Sequence, residues 1–287
     1  MADWKGKTRG SLLGFRIFVW LLRNFGLKGA YSLLYLVVPY FVPFAPAGTK
    51  TLFELYHRRL GMGFWTSIAN IFRNYFALGK SLIDRVAIKS GFGEKFTYVH
   101  EYTSNIDALI AEGKGGFLLS AHLGNWDIAG YFMQKGRSKV NIVMYDEEHQ
   151  KIKQYLEDSS NGQSLNIIPI KDDFSHIIAI KNALSNGEII TMHADRFREL
   201  NRTVTMNFLE REALFPQGPF LLAAKFKAPV SFVFCVRESE FHYHLFASEG
   251  KVYESVEAVA EAYRLSLEEK VKRYPLHWNN YYDFWKL

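Results

Sequence analysis

From about Lys95 onward, short apolar runs with little charge alternate with longer stretches of helical spacing. The runs are Gly116–Ala121, Val140–Tyr145, Leu165–Ile170, Glu188–His193 and Val230–Val236, and between them lie Glu147–Glu157, Phe174–Leu184 and Pro219–Phe226. Short apolar runs bounded by turn residues are strands buried on both faces, and helical returns between them are what parallel neighbours require. The pattern predicts an α/β fold, a mostly parallel sheet flanked by helices. Asn186-Gly187 supplies a helix stop, Phe241–Ser248 an added antiparallel strand and Glu254–Lys272 a closing helix.

Sheets of this class bind ligands beyond the carboxyl ends of their strands. Two of the predicted strands end in polar chemistry. The first runs Gly116-Phe-Leu-Leu-Ser-Ala-His122-Leu-Gly-Asn-Trp-Asp127, and the other ends in His193-Ala-Asp195-Arg196. On one continuous helix His122 and Asp127 would stand about 140° apart. A strand-turn-helix corner instead lets Asp127 turn back towards the imidazole. A carboxylate on one ring nitrogen fixes the tautomer and frees the other nitrogen to take a proton from an alcohol. His122 is then the base and Asp127 its orienter. Gly-x-Ser-x-Gly is absent, and the lone cysteine, Cys235, lies inside the apolar run Val230–Val236, so the nucleophile belongs to the substrate.

The words His-Leu-Gly-Asn-Trp-Asp after an apolar strand resemble the signature of the lysophospholipid acyltransferase superfamily, in particular the branch of lipid A biosynthesis (late) acyltransferases. In that branch the His and the acid form the catalytic dyad. Leu214-Phe-Pro-Gln-Gly218-Pro, followed by a Leu-Ala helix, is similar to a further block of the same branch. The resemblance implies a glycerolipid acyltransferase-like fold and no cofactor or metal. Its donor is an acyl carrier protein or acyl-CoA thioester, and its acceptor a lipid or glycolipid hydroxyl, as in a lipid A precursor. It also points to Asp195, Arg196 and Arg198 as acceptor or phosphate contacts, an Arg fork being a natural phosphate clamp. Backbone N–H groups near Gly124, Asn125 or Gly218 are the candidates for holding the oxyanion. One departure stands out: Tyr155–Ser164 holds no Arg where relatives usually carry one. The aromatic ending Pro275–Trp285 is read first as a tail pinned to the core.

Residues 1–90 read as a membrane-associating helical extension and 91–287 as the catalytic part. Residues 1–28 hold six Lys and Arg against Asp3 alone, with a mostly apolar circumference, and Gly29–Thr49 carries no charge. That length suits a bilayer crossing, but Pro39, Pro43 and Pro46 interrupt it. An interfacial anchor and a span both remain open, and the long apolar region running into Pro-rich sequence does not read as a cleaved signal peptide. Phe53, Leu60, Phe64, Ile68, Ile71, Phe72, Tyr75, Leu82 and Val86 recur at near-helical intervals, as in amphipathic helices. A formal charge of +6 suits an anionic membrane surface or an anionic ligand, and the family resemblance implies the cytoplasmic face of a bacterial inner membrane. Nucleic acid is a poor partner, because the basic residues stand beside apolar helices. One rival is a metal-dependent hydrolase using His122, Asp127, His193 and Asp195 as ligands. Another is a lipid carrier without turnover, and acceptors such as a polyene-lipid, lysophospholipid or aminolipid also fit the family.

Overall fold

A computed structural model describes residues 12–101, 103–126, 139–145, 165–197 and 199–285. The strands of its main sheet are β1 (Thr97–Glu101), β2 (Gly116–Ser120), β3 (Val140–Tyr145), β4 (Leu165–Ile170), β5 (Ile189–His193), β8 (Val230–Ser239) and β9 (His242–Ala247). Their order is β1-β9-β8-β2-β5-β3-β4. The run β8-β2-β5-β3-β4 is parallel throughout. At the other edge β9 turns back antiparallel to β8, and β1 pairs parallel to β9. The five predicted strands and the antiparallel addition are all present. The expected helix Glu147–Glu157 and the segment Tyr155–Ser164 lie outside the described residues.

Two features escape the sequence reading. An antiparallel ribbon, β6 (Thr203–Phe208) with β7 (Arg211–Pro216), stands apart from the main sheet, and β1 adds a strand to its edge. Among the described residues after Lys95 the helices are α5 (Thr103–Ala111), α6 (Ser175–Ser185), α7 (Gln217–Phe226) and α8 (Val256–Arg273), with α6 packed on β4 and β5 and α7 on α8. β2 is buried at every position, as a central strand covered on both faces must be.

The N-terminal part forms α1 (Leu12–Ser32), bent at Gly26, then α2 (Leu34–Phe41), α3 (Pro46–Phe53) and α4 (Phe64–Ala87). Pro39 lies within α2, while Pro43 and Pro46 each open the next short turn, so the uncharged stretch is broken where its prolines stand. Among the described residues no single helix is long and apolar enough to cross a membrane; Trp20–Ser32 and Leu34–Phe44 meet that test only together, across a 45° bend. Leu22, Leu27 and Leu34 join the same hydrophobic core as Phe117, Phe215 and Trp285, so these helices and the sheet share one interior.

The longest of the four, α4, turns an unexpected face inward. Apolar periodicity puts Phe64 and Leu82 on the buried side, yet they are 52% and 45% exposed, while Ser67, Asn70, Asn74, Ser81 and Asp84 are buried beside Ile71, Tyr75 and Ile83. Burial of these polar groups is tolerable because they have partners. Asn74 Nδ2 donates to the carbonyls of Leu276 (3.0 Å) and Trp278 (3.1 Å), and its Oδ1 accepts from the Tyr281 hydroxyl (2.6 Å). Asp84 accepts from the hydroxyls of Tyr31 and Tyr243 and faces Arg237 Nη1 at 3.2 Å. One helix thus anchors α1, the β8–β9 hairpin and the C-terminal segment.

Candidate active site

The register of β2 on β5 builds the site. Ser120 stands opposite His193, and the Ala194 N–H donates to the Ser120 carbonyl at 2.9 Å, so the ladder continues past the strand ends. Two residues further along both chains, His122 meets Asp195. The Asp195 carboxylate grips it twice: Oδ2 accepts from the His122 backbone N–H at 2.9 Å, and Oδ1 lies 2.7 Å from Nδ1. The orienting position at Nδ1, which the sequence reading gives to Asp127, is therefore held by Asp195. Asp127 itself lies outside the described residues.

Burial alone would raise the Asp195 carboxyl, but the charge and hydrogen bond of His122, with Arg196 nearby, outweigh it and hold the group well below the usual carboxylate range. An ionised Asp195 only accepts, so the Nδ1 proton points to Oδ1, and in the neutral form of the imidazole the lone pair is on Nε2. The His193 ring lies 4.4 Å from that of His122, and Trp126 meets His193 edge-on at 5.2 Å. Burial pushes His193 down to about 3, with His122 adding to the effect, so a neutral imidazole packs beside the base. The donor atoms of His122, His193 and Asp195 lie within 4.8 Å of one another, a set that a divalent ion can use. As it stands, Nδ1 and Oδ1 are at hydrogen-bonding distance.

The loop after His122 is clamped from both sides. Gly124 and Asn125 donate their N–H groups to the carbonyls of His277 and Cys235, each at 2.8 Å, and Asn279 donates to the His122 carbonyl at 2.8 Å. Gly124 is required here: its φ is 76°, and a Cβ would lie 1.8 Å from the Cys235 carbonyl oxygen. Asn125 is buried, its amide donating to the Ser81 carbonyl (3.1 Å) and the Tyr243 hydroxyl (3.3 Å). This corrects the expectation for both residues: their N–H groups are spent on structure rather than offered to an oxyanion or a substrate.

Residues 64–286 match the family described as bacterial lipid A biosynthesis acyltransferase, a span that takes in His122, Asp195 and the whole clamped loop. The chain belongs to the bacterial lipid A biosynthesis acyltransferase family. Its similarity extends to the phosphatidylinositol mannoside acyltransferases of Mycobacterium tuberculosis, strains ATCC 25618 / H37Rv and CDC 1551 / Oshkosh, each 22% identical over 184 residues. That alignment covers 63% of this chain and 58% of each relative, less than two thirds of their length.

The remaining candidates of this acyltransferase-family chain separate by position. Gly218 is exposed near the N-terminus of α7, with no atom within 4 Å of where a Cβ would point. Phe215 and Phe220, on either side of it, both pack on Tyr263, whose hydroxyl donates to the Ser120 carbonyl at 2.8 Å, so α7 begins near the His122 end of the sheet. Arg196 is half-buried beside Asp195 and donates through Nη2 to the Asn279 carbonyl at 2.8 Å. Arg198 lies outside the described residues. Burial pushes the Cys235 thiol far above its ordinary value, which removes it as a thiolate nucleophile.

Missed altogether was the C-terminal segment as a wall of the site. Leu123 and Trp278 form an antiparallel bridge, the Trp278 indole N–H donates to Asp195 Oδ2 at 3.3 Å, and the Tyr282 hydroxyl donates to the Asp195 carbonyl at 2.7 Å. The tail is pinned to the core, as expected, but the part of the core it grips is the His122–Asp195 pair.

Proposed function

We propose that this chain moves a fatty acyl group from an acyl carrier protein or acyl-CoA thioester to a hydroxyl of a glycolipid or related lipid at a membrane surface. The observation that carries the reading is the His122 Nδ1–Asp195 contact at the carboxyl edge of the sheet, which leaves Nε2 open as a base. The acceptor hydroxyl gives its proton to Nε2 as its oxygen bonds to the thioester carbonyl carbon. The tetrahedral intermediate then collapses, the C–S bond breaks, and the departing thiolate takes the proton back from the imidazolium. No side chain forms a covalent intermediate, and a thioester is activated enough for orientation and proton transfer to supply much of the rate. N–H groups at the start of α7, around Gly218, are the candidates for the oxyanion or a donor phosphate, and Arg196 with Arg198 for an anionic acceptor group.

A glycolipid acceptor is favoured because both the family description and the name of the mycobacterial relatives refer to glycosylated lipids. Membrane attachment draws on the outer face of α1 and α2, where Tyr35 and Leu36 are each 73% exposed and Tyr40 71%, with exposed Trp20 and Phe25 nearby. Such a patch beside exposed Arg23 and Lys28 suits the interface of an anionic bilayer, in keeping with the cytoplasmic face of a bacterial inner membrane.

The test is thioester consumption with extracted bacterial membrane lipid as acceptor, read by mass spectrometry. A new acylated lipid, formed equally in the presence of a chelator, is the expected result. Failure to consume either donor overturns the reading. Chelator-sensitive hydrolysis in place of transfer would instead favour a metal held by His122, His193 and Asp195.

A further inference from the structure

Asp195 Oδ2 has two donors, and they come from different places. One is the His122 backbone N–H, fixed by the sheet register; the other is the indole N–H of Trp278, far along the chain. Trp278 is 1% exposed, so its N–H has no solvent to turn to. Its ring is held edge-on by Phe208 (5.5 Å), Phe284 (5.2 Å) and Trp285 (6.1 Å between centroids), which fixes where the N–H points. With Oδ2 doubly engaged, Oδ1 is the oxygen left to face His122 Nδ1. A carboxylate held by one donor alone swings about its Cβ–Cγ bond, and the imidazole it orients swings with it.

We propose that Trp278 is a positioning residue of the transfer reaction, its indole N–H pinning Asp195 so that Oδ1 stays aligned on His122. The proposal rests on the reading of His122 as the base. It separates the N–H from the ring: packing alone needs an aromatic side chain here, whereas positioning needs the donor.

The test uses the full chain in detergent with ¹⁵N-labelled histidine, following the Nδ1–H resonance of His122, assigned by its loss in His122→Ala. Expected in Trp278→Phe is a displaced or exchange-broadened resonance with thermal melting close to wild type. Should Phe leave a void that lowers the melting temperature, the isosteric benzothienylalanine at position 278 removes only the donor, and the same displacement is expected. An unmoved resonance in a stably folded variant overturns the proposal. With palmitoyl-CoA and extracted bacterial membrane lipid, Trp278→Phe is expected to lower kcat about tenfold with little change in KM, and to cause no further loss in an Asp195→Asn background. Equal losses in both backgrounds would also overturn it. A wild-type resonance insensitive to Asp195→Asn removes the His122–Asp195 pair itself, and this proposal with it. Failure of the pair is thereby told apart from failure of Trp278.

Discussion

Asp84→Ala strikes a buried charge with three side-chain partners. The carboxylate is fully buried on α4 and accepts hydrogen bonds from Tyr31 on α1 and Tyr243 on β9, while Arg237 on β8 faces it at 3.2 Å with its side chain 8% exposed. Burial raises this carboxyl above its ordinary value, and Arg237 with the two hydroxyls pulls it back. Alanine leaves a buried guanidinium without its counter-charge and two hydroxyls without their acceptor. Breaking a buried pair in this way costs about 3–5 kcal/mol. The lower end applies, because Arg237 keeps its bonds to the Ser239 carbonyl (3.1 Å) and the Tyr31 hydroxyl (3.0 Å) and its stacking over the Tyr31 ring. For a chain of this size about 3 kcal/mol lowers the melting temperature by roughly 5 °C. Thermal melting and denaturant titration of the detergent-solubilised protein provide the assay. The double change Asp84→Leu with Arg237→Leu, which removes both charges, is expected to recover part of the loss. A single alanine variant within about 1 kcal/mol of wild type would refute the reasoning, as would a double variant worse than the single one.

Gly124→Ala must move the loop, since the new Cβ lands on the Cys235 carbonyl in a backbone conformation that already disfavours L-residues by about 1–2 kcal/mol; transfer falls at least about a hundredfold, and wild-type turnover would contradict the clamp. Stability falls as pH falls below neutrality. Burial holds His193 and His277 at about 3 and about 4, so between pH 6.5 and 4 the unfolded chain binds protons that the fold refuses, at up to about 1.4 kcal/mol per pH unit for each histidine. Asp195, depressed in the fold, adds to this only below about pH 4, where the unfolded carboxyl protonates. Denaturation midpoints measured from pH 7.5 to 4.5 check this, and a flat profile, or one that His193→Phe leaves unchanged, would count against it.

The parallel sheet was legible because buried strands and helical returns leave a local imprint: β3 and β4 begin and end at the predicted residues, and β2, β5 and β8 begin within one residue of them. His122 was legible for the same reason, as a polar residue at the end of an apolar strand. Its partner was not. Asp195 meets His122 only because β5, separated from β2 in the chain by two other strands, folds back beside it, and a single sequence carries no sign of that insertion. Short spacing favoured Asp127 instead. The buried polar stripe of α4 was hidden likewise, since Asn74 and Asp84 look like a solvated face until the Trp278 carbonyl and Arg237 arrive from distant parts of the chain. Trp278 could be noticed as aromatic, but nothing local tells an indole that fills space from one that holds a carboxylate.

The account stands most directly on a comparison of three variants in single-turnover acyl transfer: His122→Ala, Asp195→Asn and Asp127→Asn. It expects His122→Ala to abolish transfer with the fold intact. Asp195→Asn should lower kcat by about 10²–10⁴ while KM holds, because a base without its orienting carboxylate loses its tautomer and alignment. Normal transfer by Asp195→Asn, with the loss falling on Asp127→Asn instead, would contradict the account and return the orienting role to Asp127.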